Sequence, residues 1–291
     1  TSSNRVIYTN DMFFQPSISQ LSDTLKVSGT DSLSFAMRLY PNLNDSAKES
    51  SKYIEFLYNI KGDKYILDFT VSFKNMGGII PANVGYLNLD CGATLKRQEK
   101  SLENEKNVTT IYYKYYDDDV DYLSETKDRT EKLSTPVHWI SLKQQFFIST
   151  LIAEKNFITN AEISVKSEPK ESENYLRSAN SSMDMAFNAR EAEQVYDFKF
   201  YFGPNKYKTL RKLDLDMERQ IPLGWSFRPL SWINQYVVIP VFNFLEGFNL
   251  NYGIIILILT VLLKIVLFPI AYKTYMSSAK MRVLKPERRY I

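Results

Sequence analysis

The stretch that decides the architecture of this chain is GIIILILTVLLKIVLFPIAY, which runs from Gly253 to Tyr272. Its only charged residue is Lys264. A helix rises about 1.5 Å per residue, so these residues cover about 30 Å, the thickness of a bilayer's hydrocarbon core. A helix also pairs its own backbone polar groups, which lipid cannot do. The pattern therefore predicts one transmembrane helix at residues 251–272.

Charge differs in sign on the two sides of this stretch. The chain has a formal net charge of +3, and the six basic residues after Tyr272 are Lys273, Lys280, Arg282, Lys285, Arg288 and Arg289. Only one acid, Glu287, accompanies them, which leaves 30 basic and 32 acidic residues in residues 1–272. Lys and Arg are enriched on cytoplasmic flanks, so we expect a cytoplasmic tail and an external segment 1–250. A nucleic-acid partner would require a basic face on the folded part, which this distribution argues against.

Residues up to about 200 alternate between apolar and polar side chains with a period of two. In Tyr65–Phe73, the apolar side chains are at every second position. The same alternation occurs in Ser32–Leu39, Tyr53–Ile60, Thr109–Tyr116 and Val195–Phe202. Because side chains alternate across a strand, each segment offers one apolar face to a core. Together with 20 Tyr and 18 Phe, this pattern predicts a mainly β fold, a large sheet sandwich.

Three further segments have patterns of their own. The polar stretch Ser167–Ser182 predicts a surface loop. Tyr207–Gln220 has apolar residues at helical spacing among charges, which predicts a helix. Trp225–Phe248 interleaves aromatic and polar residues, which predicts a segment in the membrane interface that Pro240 kinks or divides. The alternative for this last segment is a buried core helix.

Few residues suggest covalent chemistry or metal binding. The single cysteine, Cys91, excludes an intrachain disulfide and is expected to be buried like a small apolar side chain. The acidic run Asp117–Asp119 with Asp121 lacks the ligand spacing of a calcium loop, so we expect a solvated turn. The single histidine, His138, is expected to be structural or at the surface. We therefore predict no enzymatic activity, no metal and no cofactor.

Lys264 is the anomaly in the predicted membrane helix. It lies about 12 Å from the Tyr272 end, where a charge costs about 2.5–3.5 kcal/mol on insertion scales. Its side chain could reach the interface by snorkelling. However, Thr260 lies on the same face, with Gly253 and Ala271 on or near it. A small and polar stripe on an apolar helix is typical of a surface that faces protein or a water-filled cavity.

Several motifs, taken in order, resemble the bacterial YidC family of membrane protein insertases. Thr260–Pro269, followed by Tyr275–Pro286, is similar to the first core transmembrane helix of that family and to the start of its cytoplasmic hairpin. Upstream, the run WISLKQQFF from Trp139 to Phe147 is similar to a motif of the family's periplasmic domain. Shorter landmarks match at Tyr201–Pro204 and at Gly224-Trp225.

This resemblance implies a location and a division into domains. The location is the bacterial inner membrane. Residues 1–222 would form a periplasmic β-sandwich similar to sugar mutarotases, with a C-terminal helix. Residues 223–250 would form an interfacial amphipathic helix and residues 251–272 the transmembrane helix. Residues 273–291 would begin the cytoplasmic hairpin, which is truncated here.

The resemblance also implies a function. In the family, five core helices enclose a hydrophilic groove, where a positive residue, usually Arg, and a threonine one turn earlier contact the substrate. Lys264 and Thr260 hold those places here. The implied partners are nascent membrane proteins and the lipid bilayer, with the Sec translocon and the ribosome as further partners. The periplasmic motif is expected to serve packing or partner binding through Trp139, Lys143, Gln144 and Gln145.

The chain departs from the family pattern in three respects. Lys264 replaces Arg, which keeps the charge but loses the planar fork of donors. The segment between Pro229 and Gly253 is longer than the family pattern, and four core helices and a signal-anchor helix are expected outside these residues. A membrane-tethered carbohydrate-binding or mutarotase-like domain is the alternative function, because a fold does not fix a function. Mutarotase chemistry would need a general acid and base, commonly His with a carboxylate.

Overall fold

A computed structural model describes residues 6–17, 24–41, 51–155, 158–168, 174–224 and 228–284. The chain divides into two compact units, Thr1–Ile221 and Pro222–Ile291.

The first unit consists mainly of antiparallel strands. Its strands are β1 (Gln15–Pro16), β2 (Ser32–Leu39), β3 (Tyr53–Lys61), β4 (Ile66–Lys74), β5 (Tyr86–Lys96), β6 (Thr110–Tyr115), β7 (Val120–Tyr122), β8 (Arg129–Leu133), β9 (Val137–Lys143), β10 (Phe147–Ala153), β11 (Ile158–Ser167), β12 (Tyr175–Ala186) and β13 (Glu193–Pro204). Two short helices, α1 (Leu102–Val108) and α2 (Tyr207–Arg211), and 3-10 turns at Thr9–Asp11 and Met217–Gln220 complete it.

These strands form two sheets around one core. Nine strands pair in the order β1-β2-β3-β4-β13-β10-β9-β6-β7, and four pair in the order β5-β12-β11-β8. Apolar residues from both sheets, such as Phe69 and Phe198 from one and Ile163 and Met183 from the other, are buried together. The predicted mainly β fold with two facing sheets is confirmed, because strands with one apolar face must cover that face with a second layer.

The other face of the nine-stranded sheet carries a second, smaller apolar cluster. Trp139, Ile152 and Tyr201 project from three neighbouring strands of this sheet. Leu210 of α2 and Met217 of the following 3-10 turn pack on them and are fully buried. The segment after β13 therefore covers one part of this face.

The predicted loop at Ser167–Ser182 is wrong over most of the part that the structure describes. β12 begins at Tyr175 and pairs with both β5 and β11. Ala179, Ser181 and Met183 are buried, whereas the intervening polar residues are not. The alternation was hidden because Ala and Ser supply the inward positions, which do not look apolar in sequence. Residues 169–173 lie outside the described residues.

The predicted helix over Tyr207–Gln220 is also wrong in extent. Only α2 and the 3-10 turn at Met217–Gln220 are helical. Between them, Asp214 and Asp216 adopt positive φ values of 55° and 57°, a left-handed conformation that a continuing right-handed helix cannot contain.

The second unit is helical in the residues that the structure describes. α3 (Arg228–Ile233), a π-helical turn (Asn234–Val238) and α4 (Ile239–Glu246) follow one another without a break. Pro240 does not divide this segment: it is the second residue of α4, directly after the π-helical turn Asn234–Val238, where the regular α-helical hydrogen-bonding pattern is already interrupted. α5 (Tyr252–Leu284) is a single helix of 33 residues.

Two parts of the sequence interpretation fall outside the described residues. Trp225 of the Gly224-Trp225 landmark is one, and the end of the basic tail, residues 285–291, is the other. α5 itself does not end at Tyr272 but continues to Leu284.

Candidate functional site

A stripe of small and polar residues runs along α5. A helix turns about 100° per residue, so Gly253, Thr260, Lys264 and Ala271 lie within about 20° of one line along its surface. Ser278 falls on the same line one further heptad along the chain. The sequence places these residues on one face, and the unbroken helix from Tyr252 to Leu284 keeps them there.

Thr260 and Lys264 are the polar groups at the centre of this stripe. They are four residues apart, which makes them neighbours on the helix surface. The Thr260 hydroxyl donates a 2.8 Å hydrogen bond to the Ile256 carbonyl oxygen, which satisfies its proton without a partner from outside. Within the described residues, the Lys264 ammonium makes no hydrogen bond or ion pair, and its side chain is exposed. The ammonium is thus available to an acceptor that approaches this face.

The remainder of α5 is an apolar surface of membrane length. Residues Tyr252–Arg282 form a stretch of 31 residues that is long and apolar enough to cross a bilayer. Large side chains such as Ile254, Ile265 and Phe268 are exposed on it. Water would solvate such a surface poorly, whereas lipid or other apolar helices would cover it favourably. Between Gly253 and Tyr272, Lys264 is consequently the one charged residue in apolar surroundings.

The motif WISLKQQFF, from Trp139 to Phe147, lies mainly on β9 and the turn that follows it. Trp139 and Lys143 are four residues apart on this strand, so both project from the same face. Trp139 is fully buried, and its indole Nε1 donates a 2.8 Å hydrogen bond to the Leu215 carbonyl oxygen. This bond ties the strand to the segment that follows α2.

Lys143 is buried as an ion pair. Its side chain is 3% exposed, and its Nζ atom lies 3.3 Å from Glu125 Oε1 and 3.4 Å from the Tyr112 hydroxyl. The same ammonium lies 4.6 Å from the centroid of the Tyr112 ring, in a cation–π arrangement. Burial lowers the pKa of Lys143, and the Glu125 carboxylate acts in the opposite direction. Among the described residues, the contacts of the ammonium are all within the first unit, which is typical of internal packing.

The two glutamines that follow do not join this pair. Gln144 donates from Nε2 to the Lys96 carbonyl oxygen, at 2.9 Å, and so connects the end of β9 to β5 of the other sheet. Gln145 lies in the turn and is half-buried. The structure therefore separates the predicted cluster into a buried pair, a link between sheets and a turn residue.

Sequence reasoning missed the partners of Lys143. Glu125 lies in the connection after β7, and Arg177 of β12 donates from Nη1 to the Ser124 carbonyl oxygen at 3.4 Å. Arg177 is 1% exposed, and burial lowers its pKa. Two buried cations from different sheets thus hold the Ser124-Glu125 segment. No spacing along the sequence indicated this arrangement, because the contacts join residues 18 and 53 positions apart.

The remaining candidate residues have structural surroundings. Asp117, Asp118 and Asp119 are exposed at a bend, as predicted for a solvated turn. Cys91 is half-buried against the core, and burial raises its pKa to about 11. His138 stacks on Tyr116 with 4.5 Å between ring centroids. Among the described residues, no group of three His, Cys, Asp or Glu side chains is placed to hold a metal ion.

Comparison with protein families gives two matches that together cover most of the chain. The family described as "YidC periplasmic domain" matches residues 43–239. The family described as "60Kd inner membrane protein" matches residues 244–291.

Curated relatives carry the same description along nearly the whole chain. A "Membrane protein insertase YidC" from Bacteroides fragilis is 38% identical over 288 residues, which are 97% of this chain and 43% of that protein. The protein of the same description from Parabacteroides distasonis is 35% identical over 295 residues, covering 99% of this chain and 43% of its own length. The one from Porphyromonas gingivalis is 37% identical over 296 residues, covering 99% and 44%. The chain thus spans less than half the length of these relatives.

One solved structure shows a distant likeness. A galactose mutarotase related enzyme from Lactobacillus acidophilus covers 65% of this chain and 70% of its own, at 13% identity and a TM-score of 0.29. A score of this size carries no argument about fold or activity.

Proposed function

The chain belongs to the YidC family of membrane protein insertases, and we propose that it helps nascent proteins to enter and fold in the bacterial inner membrane. The observation that carries the proposal is the stripe on α5, where a hydroxyl and an ammonium with no partner among the described residues interrupt an apolar helix of membrane length. Lys264 would attract acidic or hydrogen-bonding flanks of a substrate, and Thr260 would lie beside it.

The mechanism that this arrangement supports is physical rather than covalent. Moving one charge into hydrocarbon costs several kcal/mol, which prevents a polar flank from crossing a bilayer unaided. A groove that holds water and one fixed positive charge would lower this cost for an acidic flank. The apolar sides of α5 would remain available to lipid and to the substrate's own apolar helix. The groove would be completed by parts of the protein outside these residues, since the relatives are more than twice as long.

A defined topology belongs to this proposal. Residues 1–250 would be periplasmic and the end of α5 cytoplasmic, because Lys273, Lys280 and Arg282 follow the apolar stretch. The substrates would be nascent membrane proteins. The Sec translocon and the ribosome would be partners of the complete protein.

Complementation with the full-length protein tests the role of Lys264. In a strain depleted of its own insertase, Lys264→Leu should fail to restore insertion of substrates with acidic flanks, while Lys264→Arg should restore it. Loss of function could not be attributed to poor membrane insertion of α5, because leucine favours the bilayer more than lysine does. Lys273→Leu is the matched control, since it removes one charge from the same helix about 160° away from the stripe.

Three outcomes would count against the proposal. Normal insertion with Lys264→Leu would remove Lys264 from the mechanism, and equal loss with Lys273→Leu would mean that the loss is not specific to the stripe. Labelling decides the topology: a cysteine at Lys132 should react with an impermeant maleimide added outside, and a cysteine at Lys280 should not. The reverse result would invert the proposed orientation.

A further inference from the structure

A cleft of about 500 Å³ opens on the same face of the nine-stranded sheet as the Trp139 cluster. Ile66 and Ile152 line it from the sheet, and Leu213 and Leu215 line it from the segment after α2. Its volume is within the range of small-molecule sites, about 300–1,000 Å³. Neither Lys264 nor the Lys143 pair contributes to it, so the cleft is independent of the function proposed above.

Strand register builds the floor of this cleft. Lys199 of β13 pairs with Asp68 of β4 on one side and with Ile152 of β10 on the other, so these side chains project in one row. Lys114 of β6 pairs with Trp139 of β9, and the next residue of β6, Tyr115, pairs with Val137. His138 lies between these two partners on β9 and is therefore the extra residue of a β-bulge. A bulge re-aims a side chain, and this one brings the only histidine of the chain to the cleft.

Hydrogen bonds, an ion pair and a ring stack hold the wall of the cleft in place. The Trp139 indole fixes the Leu215 carbonyl, and the Lys114 ammonium lies 2.9 Å from the Asp216 carboxylate. His138 is stacked on Tyr116, whose hydroxyl donates to the Ala153 carbonyl oxygen at 3.0 Å. The cleft therefore has fixed walls before a ligand arrives, which reduces the ordering cost of binding.

Positively charged side chains outnumber negatively charged ones in the cleft. Four lysines and two acids line it. Lys61 pairs with Asp68 at 3.4 Å, and Lys199 pairs with Glu154 at 2.5 Å. The other two lysines, Lys64 and Lys212, form no ion pair with any residue in the described ranges. Within the part of the chain that the structure describes, two positive charges thus have no counter-charge at one concave, partly apolar site.

We propose that this cleft binds a phosphate ester, with Lys64 and Lys212 holding the phosphate and the leucines contacting its organic part. A phosphate monoester carries about −1.5 to −2 charges at neutral pH, which matches the two free ammonium groups, and lysine is a common phosphate ligand. A monocarboxylate would compensate only one of them. Burial and the neighbouring Lys114 lower the pKa of His138, so its imidazole is neutral and able to accept or donate a hydrogen bond.

Calorimetric titration of the whole chain tests the proposal. The chain would be placed in nanodiscs of zwitterionic lipid and titrated with glycerol 3-phosphate at constant ionic strength. Saturable binding is expected, weakened about tenfold by Lys64→Gln and by Lys212→Gln. The matched control is Lys132→Gln, which removes an 85% exposed lysine from β8 of the other sheet and should leave the affinity unchanged. Circular dichroism would verify that each variant is folded.

A second arm distinguishes the two sources of such a phosphate. If the natural ligand is a lipid headgroup, nanodiscs that contain phosphatidic acid, whose headgroup is a phosphate monoester, should reduce the apparent affinity for glycerol 3-phosphate. If the natural ligand is a soluble ester, the affinity for glycerol 3-phosphate should be the same in both kinds of nanodisc. A difference no larger than the effect of Lys132→Gln counts as no change. Absence of saturable binding in zwitterionic discs, equal weakening by Lys132→Gln, or equally tight binding of acetate would overturn the proposal.

Discussion

The ammonium of Lys143 lies 3.3 Å from the carboxylate of Glu125, but the two side chains are unequally buried, at 3% and 31% exposure. Lys143 is enclosed by the sheet and by the Tyr112 ring, whereas Glu125 can still be reached by water. Removing one partner of the pair should therefore have a different effect from removing the other.

The first prediction is that Glu125→Gln destabilises the protein more than Lys143→Met does. The glutamine variant leaves a buried ammonium without its counter-charge, which costs about 3 kcal/mol. The methionine variant fills a similar volume and leaves a carboxylate that water can solvate, so we expect about 1 kcal/mol. Urea unfolding of the whole chain in detergent, followed by circular dichroism, measures both. Costs in the reverse order would show that Glu125 is the more desolvated partner.

The second prediction concerns the indole hydrogen bond of Trp139. Trp139→Phe retains an aromatic ring but leaves the Leu215 carbonyl without its donor, which should lower the free energy of unfolding by about 1–2 kcal/mol. Trp232→Phe is the control, because Trp232 is 60% exposed and its replacement should change stability by less than about 0.5 kcal/mol. Thermal melts of both variants make the comparison. If Trp139→Phe and Trp232→Phe melt at the same temperature, the indole hydrogen bond of Trp139 does not stabilise the protein.

The third prediction uses two glycines with different surroundings. A Cβ atom at Gly62 would lie 2.5 Å from the backbone carbon of Ser28, so Gly62→Ala must displace backbone and should cost about 1–3 kcal/mol. A Cβ at Gly85 would meet nothing within 4 Å, and Gly85→Ala should be neutral or stabilising. Chemical unfolding of the two variants side by side measures the difference. A neutral Gly62→Ala would mean that the β3–β4 turn, or the segment at Ser28 before β2, can move at little cost.

The fourth prediction is a loss of stability in alkali. Burial raises the pKa of Tyr116, Tyr196 and Tyr201 to about 12, and each hydroxyl donates to a backbone carbonyl oxygen. Above about pH 10 the unfolded chain releases phenolic protons that the folded chain keeps, so stability falls as pH rises. Each of the three tyrosines should contribute about 1.4 kcal/mol per pH unit up to about pH 12.

Unfolding free energies measured across this range give the slope. Tyr201→Phe should reduce this slope by the contribution of one tyrosine, about 1.4 kcal/mol per pH unit, because phenylalanine has no proton to release. A slope that does not respond to Tyr201→Phe would contradict the assignment of this residue to the alkaline transition.

The strands that could be predicted from sequence are those with large inward side chains. Phe69, Val71 and Phe73 alternate with polar residues on β4, and the structure buries all three. β12 was missed because its inward positions include Ala179 and Ser181, which carry little apolar surface. The helix after β13 was overestimated because the sequence pattern gave no sign that Asp214 and Asp216 adopt left-handed conformations.

Some candidate residues could likewise be predicted from local sequence spacing, whereas others could not. The stripe of Thr260 and Lys264 follows from helical geometry alone, since their relation depends only on local spacing. Lys143 was identified by resemblance, but its partner Glu125 was not, and neither was the cleft with Lys64 and Lys212. These groups come from strands and loops far apart in the chain.

The sequence by itself determined the membrane-length helix, the charge that follows it and the two-sheet character of the first unit. Hydrophobic periodicity is local, so it can be read without knowing which strands are neighbours. Only the tertiary structure decided which strands lie side by side, and therefore which lysines are neutralised by a carboxylate and which have no ion-pair partner among the described residues. An ion pair depends on distances of a few ångströms between residues that the chain order does not bring together.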